Sequence, residues 1–185
     1  MQLANTRVMS SPTLRTLALA IRPGALALAL AGCVVEMPSL ANEDLSALGA
    51  ARNYRTFEQA SARPYPSAIS AGTINVWVSP EAAEAYAAIR PGQSGSNVRL
   101  PVGAMIVREV LDENGGIQSL TMMAKGPLGY APELGDWWFA VTGPDGDPNL
   151  VNDEWSVGRM ANCQSCHLPR VADDYLFGVP DEVRP

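Results

Sequence analysis

The chain has 185 residues, 13 of them basic and 19 acidic, for a formal net charge of −6 at neutral pH. A chain this acidic disfavours nucleic acid and anionic lipid headgroups as partners and suits a cationic redox partner. It contains a single histidine, His167, which excludes a pair of imidazole ligands from within the chain.

From the N-terminus, Arg7, Arg15 and Arg22 are basic and no acid precedes Glu36. Pro23 to Ala31 is an apolar run built mainly of Ala and Leu. It is too short to span a bilayer and fits the apolar region of a secretory signal. The run ends in Leu30-Ala31-Gly32-Cys33, which resembles a bacterial lipobox, where a peptidase cuts before the cysteine and the thiol takes lipid. An ordinary cleavage site beside an unrelated cysteine is the alternative. The expectation is a lipoprotein signal over residues 1–32, a tether over 33–41 and one domain over 42–185. The domain would sit on the periplasmic face of a bacterial membrane, held by lipid on Cys33 alone, since no later segment is apolar enough for a transmembrane helix. Removing residues 1–32 leaves ten basic and 19 acidic residues, a net charge of −9.

Asn42 offers a helix N-cap, followed by Glu43, Asp44 and Ala/Leu-rich sequence to about Ala62, where Arg63-Pro64-Tyr65-Pro66 ends the helix. Thr73 to Val78 is β-branched and apolar, a strand. Ser79-Pro80-Glu81 opens a second helix, running through Ala82 to Arg90. Ala104 to Leu111 and Ile117 to Lys125 read as strands joined by the Asn114-Gly115-Gly116 turn, an antiparallel hairpin. A Gly/Pro-rich loop from Gly126 to Gly135 precedes a strand from Trp137 to Val141. The expected fold class is α+β, a small antiparallel sheet flanked by helices.

Near the C-terminus stands Cys163-Gln164-Ser165-Cys166-His167. C-x-x-C-H is the attachment pattern of a c-type haem: the two thiols form thioethers to one porphyrin and the histidine ligates its iron. A zinc half-site would need a fourth ligand, and only the distant Cys33 remains. A redox dithiol would lie near a βαβ pattern, which the chain lacks. With lipid on Cys33 and haem c on Cys163 and Cys166, no cysteine is left for a disulfide.

Several stretches carry a resemblance in order along the chain. They are Tyr54, Val76-Trp77-Val78-Ser79-Pro80 and Gly103-Ala104-Met105-Ile106-Val107-Arg108-Glu109. Then come Met122-Met123-Ala124-Lys125, Gly129-Tyr130-Ala131-Pro132, Gly135-Asp136-Trp137-Trp138, the haem motif, and Asp173-Asp174-Tyr175-Leu176-Phe177. Over roughly Arg52 to Val179 the sequence resembles the cytochrome P460 family, including the β-sheet cytochromes c′. The resemblance implies one haem c on an antiparallel sheet, commonly in a homodimer, with an accessible iron face. It implies either oxidation of hydroxylamine and nitric oxide, or binding of nitric oxide or carbon monoxide without that catalysis. In the oxidising branch a lysine bonds covalently to the porphyrin; the matching position here is Arg108, whose guanidinium suits that bond poorly. The acid of that branch's pocket aligns near Thr121.

Strand alternation puts Ile106, Arg108 and Val110 on one face. If that face meets the haem, Arg108 can hydrogen-bond an iron ligand or a propionate; otherwise it is a rim residue paired with Glu109 or another acid. Met105, Met122, Met123 and Met160 are candidate sixth ligands, Met122 and Met123 foremost, although strand methionines more often fill cores. Trp137 and Trp138 point to opposite faces, one to the core and the other to haem, a partner or solvent. Tyr175 and Phe177 either close the haem edge or pack in the core. Lys125, the only lysine, is expected to be solvated or paired with a propionate. The function expected is diatomic-ligand binding or single-electron transfer at His167-bound iron. The alternatives are a P460-like oxidising enzyme and a six-coordinate His/Met carrier.

Overall fold

In the computed structural model, the residues described are 40–69, 72–93, 95–151 and 154–185. The lipidation candidate Cys33, the signal over 1–32 and residues 33–39 of the tether lie outside them. In chain order the elements are helix α1 (Asn42–Ala51) and the short strands β1 (Glu58–Gln59) and β2 (Tyr65–Pro66). Strand β3 (Thr73–Val78), helix α2 (Pro80–Ala87), β4 (Met105–Leu111), β5 (Ile117–Lys125) and β6 (Trp137–Thr142) follow. Last come β7 (Leu150–Val151), β8 (Glu154–Trp155), β9 (Val157–Gly158) and helix α3 (Ala161–His167).

The sheet runs β1-β3-β4-β5-β6-β9, with β2 also pairing on β3 and every pairing antiparallel. The fold is therefore α+β with a mostly antiparallel sheet. The β4–β5 hairpin turns where expected. Asp112 Oδ1 accepts from the amides of Asn114 and Gly116, both at 2.8 Å, and Gly115 supplies the positive φ of 79°. Ser79 precedes Pro80 at the start of α2, and its hydroxyl accepts from the Met105 amide at 2.9 Å, fixing that start to β4.

The first helix departs from the expectation. It ends at Ala51 rather than Ala62, and Ala41 rather than Asn42 is its N-cap. A 3₁₀ turn over Tyr54–Thr56 redirects the chain so that Glu58 pairs with Val78. Tyr54 is buried in that turn and its hydroxyl donates to Glu109 at 2.7 Å. This tertiary anchor overrides the helical propensity of the Ala-rich sequence after it.

The sheet has two apolar faces, as period-2 alternation requires. One carries Ile74, Val76, Val78, Ile106, Val110, Trp137 and Phe139, covered by α2 and by Leu176, Val179 and Val183 of the C-terminal segment. The other carries Val107, Leu120, Met122, Ala124, Trp138 and Ala140, covered by Leu48 and Ala51 of α1 and by Tyr54. Trp137 and Trp138 do point apart, but both are core residues: neither faces solvent. Trp137 Nε1 donates to the Asp174 carbonyl at 2.8 Å, and Trp138 Nε1 to Asp44 Oδ1 at 2.7 Å. Among the described residues no helix is long and apolar enough to cross a membrane.

Candidate functional site

Helix α3 sets Cys163, Cys166 and His167 at i, i+3 and i+4, which puts all three on one helical face. None of its residues is fully buried, and both cysteines are free thiols. Burial pushes the Cys163 thiol's pKa up, and Cys166 beside it adds to the rise. Cys163 is thus held further toward the protonated thiol, which makes it a poor attacking thiolate.

His167 is held from three sides. Its Nδ1 lies 2.6 Å from the Tyr175 carbonyl oxygen, so Nδ1–H donates and Nε2 keeps its lone pair. The rings of Phe139 and Phe177 meet it edge-on, with centroids 5.4 and 5.1 Å away. Burial pushes the imidazole's pKa below its ordinary value; the bond to Tyr175 opposes this, and the nearby Arg108 charge adds to it. At neutral pH the ring is therefore neutral, the form that ligates metals.

His167 and Cys166 border a cavity of about 270 Å³. Ile74 and Val76 of β3 and Ile106 of β4 form an apolar wall, joined by Met123 and Phe177. Its polar groups include Tyr65, Tyr86 and Arg108. Burial raises the pKa of both tyrosines, so both hydroxyls stay protonated near neutral pH. A larger cavity of about 390 Å³, also bordered by Tyr86, holds neither cysteine nor histidine. The Arg90 and Arg184 that border it are tied to Asp181.

Arg108 faces the His167 cavity and its Nη2 reaches Ser67 Oγ at 3.4 Å. It does not pair with Glu109, which lies on the opposite face and is taken by Tyr54, Asn75 and Arg55. Thr121 is the β5 register partner of Arg108, and its Oγ1 is buried with no hydrogen-bond partner among the described residues. Of the methionines, Met123 lines the cavity. Met122 is 1% exposed on the opposite face, where Met105 also packs, so both are removed as ligand candidates for this cavity. Met160 packs its sulfur 4.0 Å from Cys163 Sγ.

Lys125 is neither solvated nor among the cavity-lining residues. Its Nζ is 2.7 Å from Asp174 Oδ1 and 4.8 Å from the Trp137 ring centroid. Tyr175 is buried in the core, while Phe177 is 47% exposed at the cavity mouth. Sequence reasoning missed Tyr65, Tyr86 and Asp174 as neighbours of the site. Tyr86 follows Ala82 at i+4, which marks the inward face of α2. Nothing in Arg63-Pro64-Tyr65-Pro66 signals a cavity-lining strand.

Against the haem expectation the donor set fits. Two thiols and a neutral imidazole lie on one helical face, the imidazole's free Nε2 belongs to a ring lining an apolar cavity, and exposed Phe177 offers a flat apolar edge. Among the described residues no three His, Cys, Asp or Glu side chains converge as a metal-ion site, so a zinc centre has no complete ligand set there. Fold and site together define an α+β protein with a C-x-x-C-H helix set against an apolar, sheet-walled cavity. No protein-family model matches the chain, and no curated protein matches it.

Proposed function

We propose that this chain is a c-type monohaem protein of the cytochrome P460/c′-β type, binding a small diatomic ligand such as nitric oxide or carbon monoxide or passing single electrons. The observation that supports it best is the His167 Nδ1–Tyr175 bond beside a C-x-x-C-H helix at an apolar cavity. When bound, the haem supplies an iron that exchanges single electrons and takes a small ligand. Cys163 and Cys166 would tether the ring, and His167 Nε2 would ligate its iron. The Tyr175 carbonyl fixes the imidazole's tautomer and orientation and raises its basicity as a ligand. The wall of Ile74, Val76 and Ile106 gives the cavity an apolar side that disfavours water. Arg108 supplies a hydrogen-bonding cation inside that wall, for a ligand or a propionate.

Proton-moving catalysis has less support. His167 is committed, and Tyr65 and Tyr86 hold their protons too tightly to serve as bases near neutral pH. The P460 cross-link has no lysine at Arg108, and Lys125 is engaged by Asp174. A six-coordinate His/Met electron carrier is the second reading, favoured by Met123 in the cavity lining. The proposal includes export, lipidation at Cys33 and a periplasmic location on a bacterial membrane. Dimerisation is carried by the family resemblance alone.

The ferrous absorption spectrum tests the reading. A five-coordinate high-spin spectrum that changes with carbon monoxide or nitric oxide is expected. A low-spin spectrum with a methionine charge-transfer band would establish the second reading, and a red-shifted, cross-linked Soret band would restore the enzyme.

A further inference from the structure

We infer that Asp174 and Lys125 form a buried clamp that positions the His167 imidazole through the backbone turn between them and the Tyr175 carbonyl. The inference rests on the haem reading only in making His167 an iron ligand. Asp174 and Tyr175 have φ of 53° and 66°, two consecutive non-glycine residues in the left-handed region. Aspartate tolerates that region; a bulky aromatic seldom does. Such a conformation persists where its surroundings over-determine it.

The surroundings here do so at several points. Asp174 Oδ1 pairs with Lys125 Nζ at 2.7 Å and Oδ2 accepts from the Leu100 amide at 2.9 Å. These side chains are 1% and 11% exposed for Asp174 and Lys125. The Asp174 carbonyl accepts from Trp137 Nε1 at 2.8 Å, and Lys125 lies over that same indole. The Tyr175 amide donates to the Arg170 carbonyl at 2.8 Å, and its hydroxyl to the Glu133 carbonyl at 3.2 Å. Its ring packs on Gly135, where a Cβ would come within 2.7 Å of Cε2. Strands β5 and β6 thus grip a two-residue turn that presents one carbonyl to Nδ1 at 2.6 Å. A buried ion pair contributes little net stability compared with apolar packing, so its place at this turn is better explained by the geometry it imposes.

The test uses the full chain made without haem and labelled with ¹⁵N. With one histidine, its imidazole signals are unambiguous. Long-range ¹H–¹⁵N spectra of the neutral ring should show the Nδ1–H tautomer as the dominant form. Asp174→Ala should convert this to a mixture, and Lys125→Met should do so more weakly. In the haem-loaded protein both should lower the iron–histidine stretching frequency. Unchanged tautomer and frequency in a folded variant, with only the melting temperature reduced, would overturn the inference. If Asp174→Ala does not fold, Lys125→Met decides by the same readouts. If no haem attaches, the tautomer of the haem-free chain still decides the clamp, so the two ideas fail separately.

Discussion

Arg108 and Glu109 are neighbours on β4, yet they belong to two differently built faces. Glu109 is 5% exposed and held by Tyr54 at 2.7 Å, Asn75 at 2.9 Å and Arg55 at 3.5 Å. Arg108 reaches only as far as Ser67 at 3.4 Å and borders the cavity with His167. No carboxylate lies in ion-pairing range of it among the described residues. On the face under α1, Trp138, Met122 and Glu109 are buried, with Trp138 Nε1 bonded to Asp44 and the Glu109 carboxylate to Tyr54 and Asn75. The face under α2 and α3 leaves a cation, two protonated phenols and a neutral imidazole around apolar walls. Both sides of the sheet carry a buried core, and the side under α2 and α3 also borders the cavity with His167.

The comparison breaks most visibly at Trp138. Trp138→Ala should cost about 3–5 kcal/mol of stability, read from denaturant melts, because it opens a cavity under α1. Any bound chromophore's spectrum should stay the same; a changed spectrum would mean that the two faces are not separate. Glu109→Gln comes next, at about 1–3 kcal/mol, for a buried group losing charge-assisted partners. Burial alone would raise the Glu109 pKa, but the bonds from Tyr54 and Asn75 and the charge of Arg55 hold it below the ordinary value. Its contribution is therefore present above the unfolded carboxylate pKa and lost as pH falls through the lower folded one. Wild-type stability should decline below about pH 4, and Glu109→Gln should flatten that acid limb. Parallel acid limbs would refute this.

On the open face the effects move from stability to the site. Met123→Ala should cost roughly 1–2 kcal/mol, less than a fully buried methionine, and under the proposed haem reading leave the spin state unchanged. A switch from low to high spin in that variant would make Met123 the sixth ligand. Arg108→Gln should change stability by less than about 0.5 kcal/mol. It should weaken ligand binding roughly tenfold if Arg108 donates a charge-assisted bond to the ligand, measured by carbon monoxide titration. A large stability loss with unchanged affinity would place Arg108 in the framework instead.

Much of the frame was legible because its signals are local. The alternation in Thr73–Val78, the Asn114-Gly115-Gly116 turn and the Ser79-Pro80 helix start each act within a few residues. Alternation also put Arg108 on the Ile106 face. What stayed hidden depends on contacts far apart in sequence. Helix α1 stops early because Tyr54 answers Glu109, 55 positions away. Met122 and Met123 look alike in sequence, and only the hairpin register separates the core residue from the cavity residue. Nothing local to Asp173-Asp174 marks the buried ion pair, which forms only when Lys125, 49 positions away, and the Leu100 amide are brought to it.

The central claim is that the open face receives a haem bonded to Cys163 and Cys166. The direct measurement is acid–acetone extraction of the chain exported from a host with haem-attachment machinery, followed by intact mass and haem quantitation. One haem per chain should resist extraction, and Cys163→Ser with Cys166→Ser should abolish it. A chain that emerges without haem, or releases all of it to the solvent, would contradict the account.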